Sequence, residues 1–215
     1  MLFTDRSDAG RRLAAALEHY RHEQPVILGL PRGGVVVGYE VALALDAPLD
    51  VLVVRKLGAP GAEEFAIGAL APGATILDRD VVASFGIPQD YIAREVARQE
   101  REMARRDAAY RGERPPPDVA GRTAILVDDG LATGATARAA VASLRQRHPR
   151  RLVFAAPVCS PEGAEALRRV ADEVVCLECP PDFTAVGIWY HDFRPTTDAE
   201  VVECLRQASA RRIGV

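Results

Sequence analysis

The chain has 215 residues, 48% hydrophobic and 27% charged, which suits a single α/β domain over residues 1–215 with a sizeable core. A net charge of -3 offers no broad basic field to nucleic acid, and no run of about 18 apolar residues is present to span a membrane. The polar stretch 1–12 lacks the apolar core of a signal peptide, so a cytoplasmic location is expected.

Residues 8–22 read as an amphipathic helix with Leu13, Leu17 and Tyr20 on one face, ended by Pro25. Residues 26–30 form a short apolar run suited to a strand buried on both faces. A Pro-Arg-Gly-Gly turn follows, then a helix over 35–45 and a second buried strand over 49–54. Residues 55–75 hold Gly58, Pro60, Gly61, Gly68, Pro72 and Gly73, so this stretch is expected to be loop-rich. Within it, 65–70 and 75–77 can pair as a hairpin, and the segment from about 56 to 75 is a candidate mobile lid.

Residues 88–111 predict a long helix whose Glu and Arg residues alternate at helical spacing, as a solvated face stitched by ion pairs does. Pro115-Pro116-Pro117 makes a stiff linker. Strands then fall at 123–127, 151–158 and 173–177, with helices at 136–148 and 161–170 between them. This alternation implies a largely parallel, twisted sheet with helices on both faces. The irregular aromatic stretch 180–197 is expected to fold back over the sheet edge. Cys176 and Cys179 form a C-x-x-C without a second ligand pair, and Cys159 and Cys204 stand apart. These four read as ordinary small residues rather than a zinc or redox site.

In an open parallel sheet, ligands bind beyond the carboxyl ends of the strands. Two loops leave such ends with unusual residues. After the strand ending at Val127 come the adjacent acids Asp128 and Asp129, then Gly130, Leu131, Ala132, Thr133, Gly134, Ala135 and Thr136, where a helix starts. The glycines permit close backbone approach. The amides of residues 132–136 can cradle a phosphate at the helix N-terminus, and Thr133 and Thr136 add hydroxyl donors. Acids and phosphate repel, so the ligand must carry a phosphate at one end and neutral hydroxyls nearer the acids. A ribose 5-phosphate meets that description. The second loop, Gly29-Leu30-Pro31-Arg32-Gly33-Gly34, also opens a helix, and Arg32 there opposes the helix dipole unless an anion is bound.

The run 125–136 resembles the signature of the type I phosphoribosyltransferase family: an apolar strand, two acids, a short spacer, then Thr-Gly and Ser or Thr. Ala132 stands where many members have threonine. The resemblance implies 5-phosphoribosyl-1-pyrophosphate as donor, Mg²⁺ as cofactor, and transfer of the phosphoribosyl group to a nitrogenous base or other amine. It implies that Asp128 and Asp129 hold the ribose hydroxyls directly or through metal-bound water. The loop at Pro31, Arg32, Gly33 and Gly34 looks like the family's pyrophosphate loop, where a strained or cis peptide is common. Arg55 and the chain's single lysine, Lys56, follow the second strand at the same sheet end, where members place a basic residue beside pyrophosphate. The resemblance also favours a homodimer. It places an acceptor hood over about 180–197, with Trp189 and Tyr190 as candidate stacking surfaces for an acceptor whose identity stays open. A non-catalytic module of the same fold that senses the donor or a nucleotide is the alternative.

Overall fold

The computed structural model describes residues 2 to 213. Its centre is a five-stranded parallel sheet built from β1 (Val26–Gly29), β2 (Leu49–Val51), β6 (Thr123–Val127), β7 (Arg151–Val158) and β8 (Glu173–Glu178). The spatial order is β2-β1-β6-β7-β8. The helices are α1 (Arg6–Leu17), α2 (Gly33–Leu45), α3 (Arg79–Ser84), α4 (Gln89–Arg111), α5 (Ala135–Arg145), α6 (Pro161–Arg168) and α7 (Asp198–Ile213).

The apolar runs of β1, β6 and β7 are sorted by the two-residue period of a strand. Ile27, Ile125, Val127, Val153 and Ala155 face one way, against Leu13, Leu17, Val37, Val41, Val201 and Leu205 of α1, α2 and α7. Val26, Leu28, Leu126, Leu152 and Phe154 face the other way, against Ala137, Val141, Leu144 and Leu167 of α5 and α6. Local signals start the helices. Asp5 Oδ1 accepts from the Asp8 amide at 2.8 Å to open α1, and Ser160 Oγ accepts from the Gly163 amide at 2.9 Å to open α6, with Pro161 in its first turn.

The segment expected to be loop-rich carries the expected hairpin of 65–70 with 75–77, but within a larger three-stranded antiparallel sheet of β3 (Arg55–Ala59), β4 (Ala62–Ala71) and β5 (Ala74–Leu77). Its glycines sit at turns and at close approaches: Gly61 and Gly73 take positive φ, while a Cβ at Gly58 would meet the Glu63 backbone at 2.6 Å. Leu57, Ile67 and Leu70 pack with Ile87 and Ile92, the latter from α4, and Ala69 and Ala71 pack on Ala139 of α5. Two helices, α3 and α7, were not anticipated. The first predicted helix is α-helical only to Leu17 and continues as a 3₁₀ turn through Glu23, which buries Tyr20. Among the described residues, no helix is long and apolar enough to cross a membrane.

Candidate active site

The strand order sets the position of the site. β1 lies between β2 and β6; from β1 the chain crosses to α2 on one face, and from β6 to α5 on the other. The rule for open parallel sheets puts the ligand crevice where the crossover direction changes, at the carboxyl ends of β1 and β6. Both loops singled out in the sequence leave from there. They touch: the Leu30 amide donates to Val127 O at 2.8 Å. A Cβ at Gly34 would lie 2.6 Å from Val127 O, and one at Gly33 would lie 1.9 Å from Asp129 Oδ2. The paired glycines therefore let the first loop pass directly against the acids. The peptide bond between Pro31 and Arg32 is cis.

Asp128 and Asp129 extend from β6 into this crevice, neither fully exposed. The Asp129 amide donates to Asp128 Oδ1 at 2.8 Å. Burial, together with the neighbouring carboxylate, pushes Asp128 well above the ordinary carboxylate range. Burial raises Asp129 too, against the opposing pull of Arg6. That guanidinium sits with Nε 2.7 Å from Asp129 Oδ2, and both side chains are less than a fifth exposed. Two adjacent carboxylates in so dry a place form a strong acceptor for hydroxyls or for a cation.

Past the acids the chain is pinned from below. Leu131 forms a bridge with Cys159, Ser160 N donates to Leu131 O at 2.7 Å, and Ser160 Oγ donates to Ala132 O at 2.5 Å. Above these bonds, Ala132 and Thr133 are exposed, and the amides of Ala132, Thr133 and Gly134 have no partner among the described residues. Gly134, at φ 75°, turns the chain into α5, which begins at Ala135 with Thr136 next. Unpaired amides at a helix N-terminus form an anion cradle.

A third wall is built far from these motifs in sequence. Phe3 N donates to Trp189 O and His191 N to Phe3 O, both at 2.8 Å, so the N-terminal segment is zipped to the aromatic stretch. Val186 covers Gly130, where a Cβ would meet it at 2.3 Å. Tyr190 Oη donates to Asp129 O at 2.5 Å. Its ring packs 5.4 Å from Phe3 and 4.9 Å from Phe193 and is 6% exposed. This corrects the expectation that Tyr190 stacks a base: an enclosed ring has no face to offer, and here it props the acid-bearing loop. Trp189 is half-buried, and its indole N–H finds no acceptor among the described residues.

The basic candidates divide. Arg32 precedes α2, 44% exposed, with only a long 4.0 Å approach to Asp198. Lys56 is exposed on β3. Arg55 is turned onto α4, where Nε donates to Gln99 Oε1 at 2.9 Å. The structure therefore separates Arg55 and Lys56, since neighbours on a strand face opposite ways. Arg6 was not foreseen from the sequence: its acidic partner lies 123 residues away, and no local motif marks it.

A family model described as the phosphoribosyl transferase domain matches residues 5–193, a span that holds both loops, Arg6 and the aromatic wall. The Mycobacterium tuberculosis (strain H37Rv) protein named "Putative phosphoribosyl transferase Rv0571c" is 45% identical over 210 residues, which are 96% of this chain and 47% of that protein. The chain thus spans about half the length of that relative. A uracil phosphoribosyltransferase of Acidovorax sp. (strain JS42) is 42% identical over a shorter stretch of 59 residues, 27% of this chain and 28% of that protein. The crystal structure of TT1426 from Thermus thermophilus superposes with a TM-score of 0.82 at 48% identity, covering 96% of this chain and 99% of that one. By the span of the family match and the fold around these two loops, the chain belongs to the phosphoribosyl transferase domain family.

Proposed function

We propose that the chain is a phosphoribosyltransferase that takes 5-phosphoribosyl-1-pyrophosphate, with Mg²⁺, and transfers the phosphoribosyl group to a nitrogen acceptor with release of pyrophosphate. The observation that supports this best is the pairing, at the switch point of the sheet, of two half-buried acids with the unpaired amides of Ala132, Thr133 and Gly134. A ligand bridging both must present hydroxyls at one end and a phosphate at the other.

In this reading Asp128 and Asp129 accept from the ribose hydroxyls. The amides of residues 132–136 and the hydroxyls of Thr133 and Thr136 hold the 5-phosphate. The loop of Pro31, Arg32, Gly33 and Gly34 faces the pyrophosphate, with Arg32 as a planar donor and Lys56 as a mobile charge. Arg55 adds to the positive field from behind. The acceptor nitrogen attacks the anomeric carbon as the bond to pyrophosphate breaks, and the acids steady the charge that develops on the sugar. The sheet of β3, β4 and β5 is proposed as the lid that limits access of water.

The residues fit Mg²⁺ in a particular way. Two carboxylates are the hard oxygen donors it takes. Among the described residues, however, no group of three or more His, Cys, Asp or Glu surrounds a metal position. The ion therefore fits as one carried largely by the donor's oxygens, touching Asp128 and Asp129 directly or through water. When bound, it would neutralise the pyrophosphate charge.

The test is pyrophosphate release from labelled donor with Mg²⁺ and a panel of purine, pyrimidine and other amine acceptors. Turnover is expected with at least one acceptor, and D128N/D129N is expected to lower it by at least about a hundredfold while leaving far-UV circular dichroism unchanged. Donor binding without turnover on any acceptor would instead support a sensing module. No stabilisation by donor and Mg²⁺ in thermal melting would remove both readings, since a ligand at 100 times its Kd adds about 2.7 kcal/mol.

A further inference from the structure

Among the described residues, Arg6 is the one basic side chain seated on the acid pair, and the proposed role of those acids leaves it unexplained. It is held from three sides. Its Nε lies 2.7 Å from Asp129 Oδ2, its Nη1 donates to Arg194 O at 2.8 Å, and its guanidinium lies 4.0 Å above the ring of Phe193. Asp5 places it, because Asp5 caps α1 and Arg6 is that helix's first residue. Its Nε also lies where a Cβ on Gly33 would sit, 2.6 Å away, so it stands between the two loops.

We infer that Arg6 is a resident counter-ion of the acid pair that a donor-borne cation or ribose hydroxyl must displace, and that it then moves into the neighbouring hollow. Three features support a displaceable contact. The bond to the acid runs through Nε to one carboxylate oxygen rather than through the bidentate fork that makes such pairs strong. A hollow of about 420 Å³ adjoins Arg6, large enough to receive a guanidinium. Its lining holds the carboxylates of Asp5, Asp192 and Glu200 beside Arg194, which pairs with Asp192 at 2.6 Å, so acids outnumber the resident cation and an arriving guanidinium keeps an acidic neighbourhood. Asp129 thus has a partner in the free chain, and the partner has a second place to go. The part of this inference that concerns the donor rests on the proposed function; the part that concerns a metal ion does not.

The probe is Mn²⁺, titrated into the full chain at near-neutral pH, with free ion followed by electron paramagnetic resonance. R6Q is expected to bind Mn²⁺ at least about tenfold more tightly than the parent, a change of about 1.4 kcal/mol. R6Q/D129N is expected to lose that gain. F193L, which keeps the charge and removes the ring beneath it, is expected to move affinity the same way by less; it decides the matter if R6Q does not fold. Equal or weaker Mn²⁺ binding in both folded variants overturns the inference. Calorimetry with 5-phosphoribosyl-1-pyrophosphate and Mg²⁺ separates it from the reading beneath it. Tighter donor binding by R6Q supports both. A gain for Mn²⁺ with no donor binding to either chain keeps the Arg6 assignment and removes the donor. Donor binding that R6Q leaves equal or weakens, with no Mn²⁺ gain, removes the Arg6 assignment alone.

Discussion

At the scale of single residues, the acid pair sets function against stability. Burial raises the Asp128 carboxyl well above its ordinary range, so holding it ionised costs the fold free energy. The sign follows from linkage. Below a pH of about 4 the group is protonated in folded and unfolded chains alike and the cost is absent. As pH rises towards the raised folded value, the unfolded chain releases its proton first, and stability falls. D128N is therefore expected to raise stability at neutral pH, by on the order of 1 kcal/mol, with a gain that fades towards pH ~4. Calorimetric melts of both chains across that range check it. The two glycines of the first loop are predicted to differ in kind. G34A puts a methyl group 2.6 Å from Val127 O and 2.8 Å from Asp128 Cα, which are backbone, and is expected to cost stability by about 1 to 3 kcal/mol. G33A meets the ends of Asp129 and Arg6 instead, and is expected to weaken donor binding by at least about tenfold with a smaller loss of stability. Urea unfolding and donor titration of the two variants separate these effects.

At the scale of elements, α4 carries two kinds of charge. Its outer face follows the expected stitching where Arg94 meets Asp90 and where Arg105 and Arg106 meet Glu102, at 2.7 to 2.8 Å, but Glu95, expected on that solvated face, is 6% exposed and takes Arg98 at 2.8 Å. Its last residue differs. Arg111 is 8% exposed, pairs with Asp50 at 3.2 Å and Asp107 at 2.5 Å, and donates to Val51 O at 3.0 Å, clamping the helix end to β2. R111A strands the Asp50 carboxylate and is expected to cost about 3 to 5 kcal/mol in urea unfolding. R105A, at a site 66% exposed, is expected to leave the urea midpoint nearly unchanged. The strands and crossover helices of the parallel sheet were legible in the sequence, because their apolar runs are buried on both faces and have caps or prolines at their ends. Of the antiparallel sheet, the hairpin of 65–70 with 75–77 was legible and forms as β4 and β5, but β3 was not: Gly58 and Gly68 carry loop signals locally, and packing on α4 and α5 makes them parts of strands. α7 escaped because Val201, Leu205 and Ala208 mark a narrow apolar stripe in a mostly polar run.

At the scale of the whole molecule, the site is a meeting of distant segments. The two loops were readable because each carries its chemistry in consecutive residues, and the rule of the switch point brings them together. The third wall was not readable in that way. Arg6, Phe3 and Tyr190 act only once the N-terminal segment is zipped to residues 189–192, and neither stretch shows a local pattern that names its partner. The aromatic stretch was expected to fold over the sheet edge, but its burial of Tyr190 depends on Phe3, far away at the other end of the sequence.

The lone ε-amine of the chain, on Lys56, stands exposed on β3, the strand that begins the smaller sheet. Amine-directed reagents therefore find one side-chain target, on the smaller sheet, without any engineered cysteine. A dye on that nitrogen would report, through its change in brightness, any approach of the smaller sheet to the amides beyond β6.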